Sequence, residues 1–392
     1  MVCLLRDISA KMTNNTSSTE GLVCTPWNTI PIPNDAVARQ WLHSDLDDFL
    51  VFYIFPVIMS ASAISNTAFI FMVARLRRMH TVTNIYLVVI AFADLLLGVF
   101  VPGLYIPSYH SSPVSHHIPF DNDAFCYGVF FTGDFGYLLS VSTITLVSFE
   151  RYLAVCRPLL HLRLQSKRRA VKMIISVAVI SAALASGAAA SKGKLLKFCI
   201  DWPDRHAFYV SLPTHFHTCQ PMGASSSVRE IFVMIAIWSD IGSVMAALVI
   251  NSILYGFIIH ALSTRTVAAS TESSSQQQNQ TVIVRNQVAR TLVINGVAFL
   301  MTQTPYRMYS FNVLIQSIRG VGFLNRGQAI TCITVGRLGL YINSAINSFI
   351  YAFSCQFYRQ GFREAFSFSF KKNPGREKVS FIGKKHISIN KI

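Results

Sequence analysis

From Phe49 to Ala74 the chain runs without one charged residue. About 20 such residues in a helix cross the roughly 30 Å hydrocarbon core of a bilayer. Seven apolar runs of this kind occur, at about 49–76, 83–108, 123–156, 170–190, 229–262, 287–318 and 327–354. That pattern leaves one fold class, an all-α membrane protein built as a seven-transmembrane helix bundle. The composition agrees: 13% of residues are charged, where a soluble domain carries about 25%.

Lys and Arg set the orientation. Arg75, Arg77 and Arg78 follow the first run, and Arg157, Arg163, Lys167, Arg168, Arg169 and Lys172 lie between the third and fourth. Arg359, Arg363, Lys371 and Lys372 follow the seventh. Basic connections stay cytoplasmic, so the amino terminus is expected outside the plasma membrane. Lys192, Lys194 and Lys197 fall on the outer side and run against the pattern. The net charge of +16 is accounted for by this bias and by anionic inner-leaflet lipids, and gives no reason to expect nucleic acid as a partner. The expected organisation is an outer tail over 1–48, the bundle over 49–354, an amphipathic helix over 355–370 and a disordered cytoplasmic tail over 371–392. Asn14 and Asn15 head overlapping glycosylation sequons in the outer tail.

Glu150-Arg151-Tyr152 ends the third run and leads into Pro158-Leu159. Ionisable residues are costly at a membrane helix and mark function there. Cys126 lies about 25 residues earlier, roughly 37 Å of helix. One helix thus carries a disulfide-competent cysteine outside and a charged pair inside. Cys24, Cys199, Cys219 and Cys332 are also expected outside, where bridges form; sequence alone leaves their connectivity open.

These residues, with others in order, carry a resemblance. The chain resembles the rhodopsin-like (class A) G-protein-coupled receptors over about 49–370. Ser65-Asn66 stands in the first run, Asp94 in the second, Cys126 and Glu150-Arg151-Tyr152 in the third. Tyr255 stands in the fifth, Phe299 and Pro305 in the sixth, and Asn343, Asn347 and Tyr351 in the seventh. Phe357, Phe362, Ala365 and Phe366 follow at helical spacing. Met79–Asn84 and Ser140–Leu146 look like neuropeptide receptors.

The resemblance implies roles. Glu150, Arg151, Tyr152, Pro158, Leu159, Tyr255 and Tyr351 would serve coupling to a heterotrimeric G protein, with arrestin as a further inner-side partner and membrane lipids around the bundle. Asn66, Asp94, Ser140, Asn343 and Asn347 would form a polar core with a sodium ion on Asp94 as allosteric modulator. Cys126 would pair with Cys219, leaving Cys199 to Cys24, to Cys332 or to no partner. Arg285 stands where many members have an acid, which would make a tie to Arg151 repulsive.

The chain also departs from the family pattern. Gln303 replaces the tryptophan two positions before Pro305, and Ser348 replaces the proline after Asn347. Ala247 stands at the fifth-helix proline site. Straighter fifth and seventh helices are expected.

The ligand pocket is expected at Asp134, Asp240, Gln303, Arg307, Arg337 and Tyr341. Tyr341 occupies the retinal lysine position, which argues against light sensing. Gly133 occupies the amine-binding aspartate position, which argues against amines. Charges of both signs suit an extracellular peptide, and the neuropeptide class is preferred. An acidic metabolite or lipid held by Arg307 and Arg337 is the rival, as are a non-signalling orphan receptor and a simple Asp134–Arg337 ion pair. A transporter is disfavoured by the lack of an internal repeat. No enzyme is expected, although His215 and His217 have a spacing that can hold zinc.

Overall fold

The computed structural model describes residues 24–26, 28–115, 117–203, 207–223, 225–269 and 276–367, with side chains 262–289 outside the description. The sequons at Asn14 and Asn15 and the tail over 371–392 lie outside these residues. So does the side chain of Arg285.

Seven long helices form the bundle. They are α1 (Asp45–Arg75), α2 (Val82–Ser111), α3 (Asp123–Cys156), α4 (Lys167–Lys192), α5 (Ser226–Ala269), α6 (Gln276–Arg319) and α7 (Arg326–Ser354). Among the described residues six of them, all but α6, are long and apolar enough to cross a membrane. Hydropathy marks only the apolar part of a helix. That is why α1 begins at Asp45 rather than 49, and why α5 and α6 run past 262 and back before 287. Ser44 caps α1 in a reciprocal pair with Asp47, and Asn325 caps α7 likewise with Gln328, which satisfies N–H groups that a helix start leaves open. α5 and α7 run without a helical break, as does α6 across Pro305.

The helices approach closely where small residues allow it. A Cβ on Gly98 would fall 2.4 Å from Ser62 Oγ and 2.9 Å from Ser344 Cβ, so α1, α2 and α7 meet at a bare backbone. A Cβ on Gly339 would fall 2.4 Å from Thr302 O, binding α7 to α6 in the same way. The main core gathers Phe69, Met72, Leu87, Ile90, Leu138, Val141, Phe299 and Tyr351 between the helices. Outward faces remain apolar, with Ile175, Val179 and Ile180 of α4 among them, as lipid contact requires.

The amphipathic segment is α8 (Gln356–Phe366), shorter than the 355–370 expected. Tyr358 and Ala365 are buried, Phe366 meets Phe71 at 5.3 Å between ring centres, and Glu364 pairs with Arg78 at 2.5 Å. Polar Ser367 ends the helix, its backbone N–H on Arg363 O.

Beyond the outer ends lies a second, smaller core. Strands β1 (Thr29–Pro31), β2 (Lys194–Asp201) and β3 (His215–Gln220) form one sheet in that order. β1 runs parallel to β2, and β2 antiparallel to β3. Ile30, Trp41, Phe198, Ile200, Trp202 and Phe216 are buried together beside Val114. Residues 28–42, within the expected outer tail, are therefore folded into a cap. Two disulfides fix it: Cys126–Cys219 ties β3 to α3, and Cys24–Cys199 ties the amino-terminal segment to β2. The first is the pairing the resemblance implied, and the second decides among the alternatives for Cys199. Cys332 is a free thiol.

Candidate functional site

Three layers of polar residues thread the bundle. At the inner end Arg151 Nη2 lies 2.7 Å from Glu150 Oε2. Thr83 of α2 donates to the same carboxylate oxygen at 3.3 Å. His161 Nε2, from the short helix Pro158–Leu164, stands 4.0 Å from Glu150 Oε1. Glu150 is 9% exposed, and a carboxylate so placed needs a partner. Arg151, Thr83 and His161 thus converge on the acid, which holds Arg151 against its own helix. Tyr255 of α5 hydrogen-bonds to Ser148 Oγ at 2.9 Å. Tyr351 of α7 accepts from Asn295 Nδ2 at 3.3 Å. The two tyrosines are thereby engaged on different helices. Leu159 is 79% exposed, with Pro158 starting its helix. Tyr152 packs on Phe257.

In the middle, Asp94 is fully buried. Ser140 Oγ donates to one carboxylate oxygen at 3.4 Å and Asn347 Nδ2 to the other at 2.5 Å. Asn343 Oδ1 and Asn347 Oδ1 are buried with no hydrogen-bond partner among the described residues. Asn347, whose amide touches the buried carboxylate, thus sets an unsatisfied oxygen near it, acceptors of the kind a small hard cation takes. Asn66 does not touch Asp94's carboxylate. Its amide donates to Ser344 O at 2.8 Å and Ser62 Oγ at 3.2 Å, and Ser62 in turn reaches Asp94 O at 3.5 Å.

In the outer half Arg307 pairs with Asp240. Ser310 Oγ donates to the second oxygen of Asp240 at 2.7 Å. The guanidinium lies 4.4 Å over Tyr137 and 5.0 Å over Tyr306, a stack that spreads its charge over two rings. Gln303 Oε1 accepts from Arg307 at 3.5 Å, while Gln303 Nε2 is buried without a hydrogen-bond partner among the described residues. Asp134 is partly buried on α3. Arg337 sits apart, 5.3 Å over Tyr105. Tyr341 is buried edge-on against Phe55. The alternative Asp134–Arg337 ion pair is not formed among the described residues.

The profile of the 7 transmembrane receptor (rhodopsin family) matches residues 65–351. The chain belongs to that family. This receptor is 24% identical over 337 residues to the thyrotropin-releasing hormone receptor of Bos taurus, covering 79% of its own chain and 75% of the relative. It is 25% identical over 342 residues to the Gallus gallus receptor of that name, covering 81% and 78%. It is 29% identical over 192 residues to the cholecystokinin receptor of Xenopus laevis, covering 46% and 40%. The chain is thus a class A G-protein-coupled receptor with peptide-hormone receptors among its relatives.

The receptor's outer histidines bear on the zinc alternative. His215 lies with Cys24 and Cys199, but those sulfurs are joined to each other and are lost as thiolate ligands. His217 instead faces Asp121 Oδ1 at 3.1 Å, and its backbone N–H donates to His117 Nδ1 at 3.3 Å. His217 thus belongs to the cap's hydrogen bonding.

Several residues of the layers were not singled out from sequence. Thr83, Ser148, Asn295, Ser310 and Ser62 are short polar side chains whose roles come from partners on other helices. Their signal was a polar residue inside an apolar run, which is weak for Ser and Thr because they also bond their own helix backbone.

Proposed function

We propose that this receptor carries the binding of an extracellular peptide across the plasma membrane to a heterotrimeric G protein, with its amino terminus outside. The inner layer carries the reading. Arg151 is held by Glu150, and Tyr255 and Tyr351 are held by Ser148 and Asn295. Activation releases Arg151 to meet the G protein while Leu159 inserts from the adjoining helix. Movement of α6 frees Tyr351, because Asn295 belongs to α6. Arrestin uses the same inner face, and lipids contact α8 and the bundle's outer faces.

A peptide ligand is supported by the names of the relatives and by the mixed charges of Asp134, Asp240, Arg307 and Arg337. The folded cap also presents main chain and side chains to an extended ligand. A sodium ion on Asp94, Ser140, Asn343 and Asn347 would favour the resting state by supplying the charge that the buried carboxylate lacks. Ligand class is tested by exposing cells that express the chain to peptides, amines and organic acids, reading G-protein nucleotide exchange. A peptide response supports the proposal. A response confined to amines or to non-peptide acids overturns the ligand class and leaves the receptor reading intact.

A further inference from the structure

Neighbouring residues of α6 engage both inner tyrosines. Asn295 donates to the Tyr351 hydroxyl at 3.3 Å. Gly296, the next residue, faces Tyr255 of α5. A Cβ on Gly296 would fall 2.5 Å from Tyr255 Cζ and 2.6 Å from its Cε2, and nearer still to the hydroxyl. Cβ atoms in folded chains keep at least 3.0 Å from such neighbours. The end of the phenol therefore occupies the space that any side chain at this position would need. Alanine is the better helix former, so propensity does not account for a glycine inside α6. The close approach of Tyr255 does.

Tyr255 is held from the other side as well. Its hydroxyl accepts from Ser148 Oγ of α3 at 2.9 Å, and the residue is 7% exposed. The ring is stiff, so a crowded phenol yields by turning as a unit about its side-chain bonds. Val155 of α3 packs in one buried cluster with Tyr255. Arg151 stands between Ser148 and Val155 at helical spacing, on the same face of α3. Arg151 Nε is buried with no hydrogen-bond partner among the described residues. A phenol displaced from α6 toward α3 brings an acceptor to the region of that unused donor. If α6 yields instead, the α5–α6 contact opens and Asn295 moves away from Tyr351. Each response is a step of the activation proposed above.

We propose that Gly296 is a positioning residue: its bare backbone seats Tyr255 in the resting receptor, and a side chain there drives the receptor toward its coupling form. This rests on the coupling reading and deepens it. The contact of α5 with α6 is a restraint alongside the Glu150–Arg151 pair, and it is steric where that pair is electrostatic.

The full chain and its Gly296→Ala variant are compared at equal surface expression, reading basal nucleotide exchange with no ligand added. Gly296→Ala is expected to raise it about threefold or more. Val297→Ala, the next residue and 49% exposed, is expected to leave it unchanged. Melting of the purified receptor reads the steric contact itself. With Tyr255 in place, Gly296→Ala lowers the melting temperature by about 2 °C or more. On a Tyr255→Leu background, which lacks the crowding ring atoms, the same change raises it, because only helix propensity remains. A role of Gly296 elsewhere in α6 would not reverse that sign. Should Gly296→Ala alone stay off the surface, adding Tyr255→Leu is expected to restore it. Unaltered basal exchange in Gly296→Ala, melting shifts of one sign on both backgrounds, or a pair that stays off the surface where Tyr255→Leu alone reaches it, overturns the proposal. Those failures leave the coupling reading standing wherever wild type exchanges nucleotide and Arg151→Ala does not. A wild type with no exchange under any stimulus fails the coupling reading, and this proposal with it.

Discussion

Ser348 Oγ donates to Asn66 Oδ1 at 3.0 Å, so the residue standing where the family has proline fastens α7 to α1. Both side chains are buried. Ser348→Ala leaves Asn66 Oδ1 without its donor, and an unsatisfied buried acceptor costs about 1–3 kcal/mol. The melting temperature of the purified receptor is expected to fall accordingly. An unchanged melting temperature would show that the contact contributes nothing.

The middle layer makes a second prediction. If a sodium ion on Asp94 favours the resting state, replacing a bulky cation by sodium at constant ionic strength lowers agonist affinity. Asp94→Asn removes that dependence. The measurement is agonist binding to membranes in the two salts, and equal sodium sensitivity in both proteins rejects the ion site.

Much of this architecture was legible in the chain. The apolar runs gave the seven helices because a bilayer demands length and apolarity together. The order of Asn66, Asp94, Arg151, Tyr255 and Tyr351 gave the two inner layers. The cap was not legible, because β1 is only Thr29–Pro31 and its partner strand lies more than 150 residues away. Nothing local in Thr29-Ile30-Pro31 announces a parallel pairing. Nor did sequence separate Arg307 from Arg337, since Asp240 chooses between them only in three dimensions.

The cap predicts a dependence on pH. Burial holds the imidazoles of His117 and His217 below the ordinary histidine value. Folding therefore favours their neutral forms. The stability they contribute is fully present above the unfolded value of about 6.5 and is lost as pH falls through the lower folded values. Asp121, held low chiefly by its hydrogen bond with Lys197, stays charged across that window. Melting of the outer cap is expected to shift downward between about pH 7 and pH 5, and less so in His117→Gln. A flat profile in wild type contradicts this.

The two bridges predict a specific peptide map. Digestion without reductant should yield Cys126–Cys219 and Cys24–Cys199 fragments. Cys24→Ser frees the amino-terminal segment from β2 and should lower the cap's stability, where loss of a native bridge costs about 2–5 kcal/mol in small secreted domains. A Cys126–Cys199 fragment would overturn both pairings.

The inner layer carries the central claim. Glu150→Gln removes the charge that holds Arg151 at 2.7 Å and should raise basal nucleotide exchange. The more direct measurement is Arg151→Ala, because Arg151 lies about 37 Å of helix from Cys126, too far from the outer cavity to touch a ligand there. The variant is expected to reach the cell surface and to bind ligand as wild type does, while ligand-stimulated nucleotide exchange falls to a small fraction. Exchange that persists in Arg151→Ala at equal surface expression would contradict the account.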